Sequence, residues 1–111
     1  MPRRARTNTT SRASFERAFA LAAPFTMVSR PRVQFMWDAV QRVDAAGVEG
    51  DLVECGVWKG GVSMVMALAH AEARRGGRGG APPPRRASWL FDTFEGLPRP
   101  CLLYTSPSPR D

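Results

Sequence analysis

Apolar side chains recur along this chain in three runs at helical spacing, interleaved with two short runs that lack polar interruption. Phe15, Ala18, Phe19 and Ala22 follow a helical period from Ser14 to the break at Pro24, so a short amphipathic helix is predicted there. Its aromatics are placed to pack on the main domain or on a partner subunit. Phe25 to Val28 reads as an extended lead-in. Ser29 is a good N-cap with Pro31 tolerated in the first turn, and Val33, Met36, Trp37, Val40 and Val43 then recur at steps of three and four. That predicts a helix of about four turns, stopped at Gly47, with Met36 and Trp37 on its core face. Leu52 and Val53 open a strand, and Val62, Val65, Met66 and Ala69 form the stripe of a further helix with Arg74 and Arg75 in its last turn and Gly76 at its end. His70 falls near the polar side of this helix and is expected at the surface. Gly76 to Arg86, with its glycines and three prolines, reads as a flexible and then stiff connection. Trp89, Leu90 and Phe91 make a second strand of buried type, parallel to the first because a helix lies between them. The order strand, helix, strand predicts an α/β domain with a parallel-type sheet.

Composition narrows the picture at the two ends. The formal charge is +6, and five arginines against one acid, Glu16, lie in the first seventeen residues. Residues 1–13 are polar and basic and are expected to be disordered; 1–23 is then a basic arm with a short helix. Phe15 alone is interleaved with those arginines, too few aromatics to stack on bases, which argues against a nucleic-acid partner. No apolar run approaches the roughly 20 residues needed to span a bilayer, so no membrane partner is expected. The last eleven residues, Cys101 to Asp111, have neither strand nor helix period and read as a translated sequencing adapter, which makes the chain an expected fragment of a longer protein. Without Cys101 only Cys55 remains, no internal disulfide is possible, and a cytoplasmic location is the expectation.

The chemistry concentrates where the first strand meets its helix. Glu54, Gly56 and Gly60 form the pattern Glu-x-Gly-x-x-x-Gly, followed by Gly61. Small residues at the end of a parallel strand let a ligand reach the backbone, and the helix that follows offers free N–H groups. A dinucleotide fingerprint would require glycine at position 58, where this chain has Trp58, which argues against a nicotinamide cofactor. Glu54 and Asp92 both stand at carboxyl ends of strands, where a doubly wound sheet binds its ligand. A carboxylate such as Asp92 can accept two hydrogen bonds from a vicinal diol. Capping of a helix N-terminus, or an ion pair with Lys59 or an arginine, is the other role open to either acid.

The string from Val53 to Gly61, with Phe91 to Pro98 downstream and Phe25 to Arg30 upstream, resembles the macrocin O-methyltransferase (TylF-type) family over about residues 24–98. The resemblance implies a Rossmann-like class I methyltransferase, a three-layer sandwich of which this chain would hold the first two strands. It implies S-adenosyl-L-methionine as cofactor, assisted by Mg2+, and a small-molecule acceptor such as a sugar hydroxyl of an antibiotic, with a homo-oligomeric parent. Thr26 and Met27 would line the cofactor pocket. Gly56 and Gly60 would admit the amino-acid part of the cofactor, Val57 and Trp58 would wall it, Glu54 would serve its amino group, and Asp92 its ribose. The family pattern has a small hydroxyl residue directly after the paired glycines; here Val62 stands there and Ser63 follows, so that contact to the cofactor would be either shifted or absent. The general base and the metal-binding acids would lie beyond Pro100, and the fragment itself is expected to be inactive, because two strands of a larger parallel sheet leave an open edge and an uncovered apolar face. A non-catalytic Rossmann-like binding module is the alternative.

Overall fold

The computed structural model describes residues 4–76 and 81–95. Gly77 to Gly80 of the connection, the Gly96 to Pro98 end of the downstream motif, and the eleven-residue tail lie outside the described residues. Helix α1 spans Arg4–Ala22, α2 spans Arg30–Ala45 and α3 spans Gly61–Arg75; strands β1, Leu52–Cys55, and β2, Ser88–Phe91, pair in parallel. The first helix therefore begins well before Ser14, and residues expected to be disordered are helical from Arg4 onward.

The three apolar stripes meet in one cluster. Phe15, Ala18 and Ala22 of α1, Val33, Trp37 and Val40 of α2, and Val65, Met66 and Ala69 of α3 are all buried. Phe15 meets the edge of the Trp37 ring at 5.8 Å between centroids, a geometry that suits the ring quadrupoles. Arg30 lies over Phe15 at 5.2 Å and pairs with Glu16, tying the start of α2 to α1. The aromatics of α1 thus pack within the chain.

Local chemistry sets the helix ends. Ser29 is the N-cap of α2 by backbone conformation, but its carbonyl, rather than its hydroxyl, takes the N–H groups of Arg32 and Val33. At the other end Gly47 adopts φ 69°, its N–H donates to the Asp44 carbonyl and that of Val48 to the Val43 carbonyl. This is the Schellman closure that a glycine permits at no steric cost. Ala23–Phe25 is a short 3-10 turn rather than extended chain, and Thr26 is extended.

In the sheet, Leu52 and Glu54 face the helices, while Val53 and Cys55 face the other way. Trp89 and Phe91 lie opposite Val53 and Cys55 in register. Val53, Trp89 and Phe91 are each more than half exposed, so β2, of buried type by its sequence, presents an uncovered apolar face among the described residues. The sheet and the helices against it make two layers, an α/β arrangement.

Candidate cofactor site at the carboxyl ends of the strands

The glycine turn after β1 is a strained piece of backbone. Gly56, Trp58 and Gly60 take φ values of 78°, 50° and 87° in the left-handed region, which is open to glycine and costly for a ring-bearing residue such as tryptophan. The Gly60 N–H closes a turn onto the Val57 carbonyl at 2.9 Å, and the Gly60 carbonyl receives the Met64 N–H as α3 begins. Val57 is buried beneath the turn, and Trp58 above it is 43% exposed with Lys59 Nζ 5.0 Å from its ring. A side chain placed on Gly56 would meet nothing within 4 Å. The backbone there faces open space, as a ligand approaching the main chain requires.

Gly61 is glycine for a different reason. A Cβ at that position would stand 2.6 Å from the Phe25 carbonyl oxygen and 2.7 Å from Thr26 Cβ, distances that side-chain carbons do not tolerate. The lead-in therefore crosses the first turn of α3 at backbone contact, which brings Thr26 and Met27 to the glycine turn. Thr26 Oγ1 accepts the Val28 N–H at 3.0 Å, and Met27 is 39% exposed. Gly61 was not among the expected site residues; the paired glycines were the signal, and only the crossing chain explains the second one.

Both acids reach the rim. Ser63 Oγ, buried on the first turn of α3, donates to Glu54 Oε2 at 3.1 Å. Burial pushes the Glu54 carboxyl above its ordinary range, partly offset by that hydroxyl. Asp92, just past β2, accepts the N–H of Val57 at 2.7 Å and of Trp58 at 3.1 Å on Oδ2, and the N–H of Phe94 at 3.0 Å on Oδ1. The amides of Phe94, Trp58 and Val57, in that order, hold its carboxyl below the usual range. Glu54, Gly56, Val57, Trp58, Gly60, Ser63 and Asp92 are thus brought to one rim, with Thr26 and Met27 beside it. No three acids, histidines or cysteines gather as metal ligands among the described residues. The described residues by themselves do not form a magnesium site.

A second polar cluster, unexpected from the sequence, lies at the opposite end of the sheet. His70 is buried, and its Nδ1–H donates to Asp44 Oδ2 at 2.8 Å. Arg86 Nε donates to Asp44 Oδ1 at 2.7 Å, and the rest of its guanidinium reaches the carbonyls of Gly50 and Val48. His70 is therefore a core residue, because a carboxylate from α2 meets it there, and Arg86 anchors the end of a connection that had read as loose. A cleft of about 500 Å³ opens beside this cluster, between His70, Arg74, Arg85 and Ser88, away from the glycine rim.

The comparisons with known proteins bear on the rim. The model of the macrocin-O-methyltransferase (TylF) family matches residues 3–108. The chain belongs to the macrocin-O-methyltransferase family. It is 42% identical over 76 residues to the 8-demethyl-8-(2,3-dimethoxy-alpha-L-rhamnosyl)-tetracenomycin-C 4'-O-methyltransferase of Streptomyces olivaceus, covering 66% of this chain and 25% of that protein. It is 34% identical over 74 residues to the demethyldecarbamoylnovobiocin O-methyltransferase of Streptomyces niveus, with 66% and 25% covered. The matched region spans about a quarter of the length of these relatives. No solved structure matches the chain. The strained glycine turn, both strand-end acids and the lead-in that crosses at Gly61 fall inside the residues that the family model matches. No helix of the described residues is long and apolar enough to cross a membrane.

Proposed function

We propose that the chain is the N-terminal part, over residues 24–100, of the cofactor-binding domain of a cytoplasmic S-adenosylmethionine-dependent O-methyltransferase of Rossmann-like, three-layer fold. The acceptor is a hydroxyl of a sugar or macrolide-type natural product, a reading supported by the names of the two relatives, one of which methylates a rhamnosyl-bearing tetracenomycin. The observation that carries it is the open glycine turn at the carboxyl ends of two parallel strands, in a chain of this family. Bound S-adenosylmethionine supplies an electrophilic methyl group on sulfur. Gly56 and Gly60 leave the backbone open to its amino-acid part, Val57 and Trp58 wall that side, and Thr26 and Met27 close it from the lead-in. Glu54, steadied by Ser63, faces its amino group. Walling off water and fixing orientation are what these residues contribute to a displacement that demands alignment. Deprotonation of the acceptor, with any magnesium assistance, falls to residues outside this set, so the chain alone binds cofactor without turnover.

Calorimetric titration of the 111-residue chain with S-adenosylmethionine and, separately, with NAD tests the proposal. Saturable binding of the first and none of the second is expected. Preference for NAD, or no response to either from a folded chain, overturns it.

A further inference from the structure

The cleft at the amino end of the sheet takes no part in the proposed cofactor site. Its walls are the C-terminal half of α3, the first residue of each strand and the approach to β2. Among the described residues it is lined by four arginines and by no acid: Arg74 and Arg75 come from α3, Arg85 and Arg86 from the connection. Arginines in the last turn of a helix can be there for the helix dipole alone. Arg74 instead reaches across to the Pro83 carbonyl, and Arg86 is fixed by Asp44 and by the carbonyls of Val48 and Gly50. Two of the four positive charges are met by carboxylates, Arg86 by Asp44 and Arg75 by Glu72. Arg74 and Arg85 pair with no acid among the described residues. The remaining wall is largely apolar, from Leu52, Ala67 and Ala71.

We propose that this cleft binds a small organic phosphate, with its phosphate group on Arg74 and Arg85 and its apolar body on Leu52, Ala67 and Ala71. Uncompensated cations on a concave surface concentrate anions there. The planar guanidinium fork matches phosphate oxygens two at a time, which a lysine ammonium does not do. The volume of about 500 Å³ is that of a small-molecule site and leaves room for more than the anion. Holding Arg74 on Pro83 and Arg86 on Asp44 fixes much of the wall before any ligand arrives, which lowers the cost of ordering it. S-adenosylmethionine, with a sulfonium and an ammonium against one carboxylate, is a net cation and is disfavoured here. The two sites are independent: they lie at opposite ends of the sheet, and the cleft needs no cofactor.

The test is a 1H–15N titration of the 111-residue chain with inorganic phosphate and, separately, with phenyl phosphate, in a buffer free of phosphate. Saturable shifts at the amides of Ala67, Ala71, Arg86 and Ser88 are expected. Phenyl phosphate binds about tenfold more tightly than inorganic phosphate, because its ring covers apolar wall. Arg85→Gln weakens both by about tenfold, the loss of one charge-assisted contact. Arg85 is exposed, so the variant keeps the wild-type melt. Arg32→Gln removes the same charge from an exposed position on α2 and leaves binding unchanged, which separates a site from net charge. Shifts that do not saturate, shifts centred on residues 4–17, equal affinity for the two probes, or an Arg85→Gln variant that binds as tightly as wild type each overturn the inference. So does competition by S-adenosylmethionine, which would put the phosphate at the glycine rim. If the chain does not bind S-adenosylmethionine at all, the proposed function fails, and the two phosphates still decide what the cleft does.

Discussion

Each end of the two-stranded sheet is held by an aspartate from a neighbouring segment, yet the two ends are built in opposite senses. At the amino end Asp44 is almost wholly buried, with side chains of 1% exposure for the acid and 3% for Arg86, and every bond it makes is to a charged or chargeable partner. At the carboxyl end Asp92 is only partly buried and bonds to main-chain amides alone. The first arrangement ties α2, α3 and the approach to β2 together, Arg86 reaching the carbonyls of Val48 and Gly50 as well. The second leaves a turn open, strained and lined by exposed aromatics. Charge closed in on charge makes scaffold, and a carboxylate spent on backbone amides shapes a surface that remains accessible.

The comparison breaks most visibly at the amino end. Asp44→Ala leaves a buried guanidinium and a buried imidazole without their anion, and loss of one partner from a buried pair costs about 3–5 kcal/mol. Denaturant unfolding of the variant is expected to show that loss, or no folded state at all; a change under about 1 kcal/mol would mean water reaches Arg86 freely. Gly61→Ala probes the other end. Alanine favours a helix over glycine, but here its methyl must displace the backbone of Phe25 and Thr26, and overpacking of this kind costs about 1–3 kcal/mol. Destabilisation with displaced Thr26 resonances is expected; stabilisation would show that the crossing is loose.

The smallest effect, and the finest discrimination, comes from acidity. The pKa of Asp51 is lowered by the Trp89 indole and then the Ala87 amide, and that of Asp92 by amides, so both contribute stability that is present above the ordinary carboxylate range and is lost as pH falls through their depressed values. Glu54 has the opposite sign. Its raised folded pKa means that its contribution is present below its ordinary value of 4.5 and is lost as pH rises through the folded value. Glu54→Gln is therefore expected to flatten the fall in Tm as pH rises above the ordinary value of 4.5, while leaving acid unfolding in place. An unchanged profile would show that Glu54 is as well hydrated as in the unfolded chain.

Helical repeats were readable because they are local. Val33, Trp37 and Val40, or Val65, Met66 and Ala69, declare a face by spacing alone, and those faces are the buried ones. The glycine rim was readable for a related reason: strand, turn and helix follow one another directly, and Gly56 and Gly60 do take positive φ. The buried His70 was not, because its position on a helix wheel says polar side and its hydrogen-bond partner Asp44 lies 26 residues earlier. The exposure of Trp89 and Phe91 is the uncovered apolar face expected of two strands from a larger sheet, since apolar character marks what a strand can bury and the covering element is not among the described residues.

By itself the sequence determined the element order, the apolar faces, the position of the turn and the family, since these rest on neighbours in the chain and on motif spacing. Only the tertiary structure decided that Gly61 makes room for the Phe25 backbone, that Arg86 closes on Asp44, and that Asp92 holds the amides of Val57, Trp58 and Phe94. Each is a meeting of atoms, most of them far apart in the chain, and several involve the main chain, which every residue carries and no sequence pattern marks.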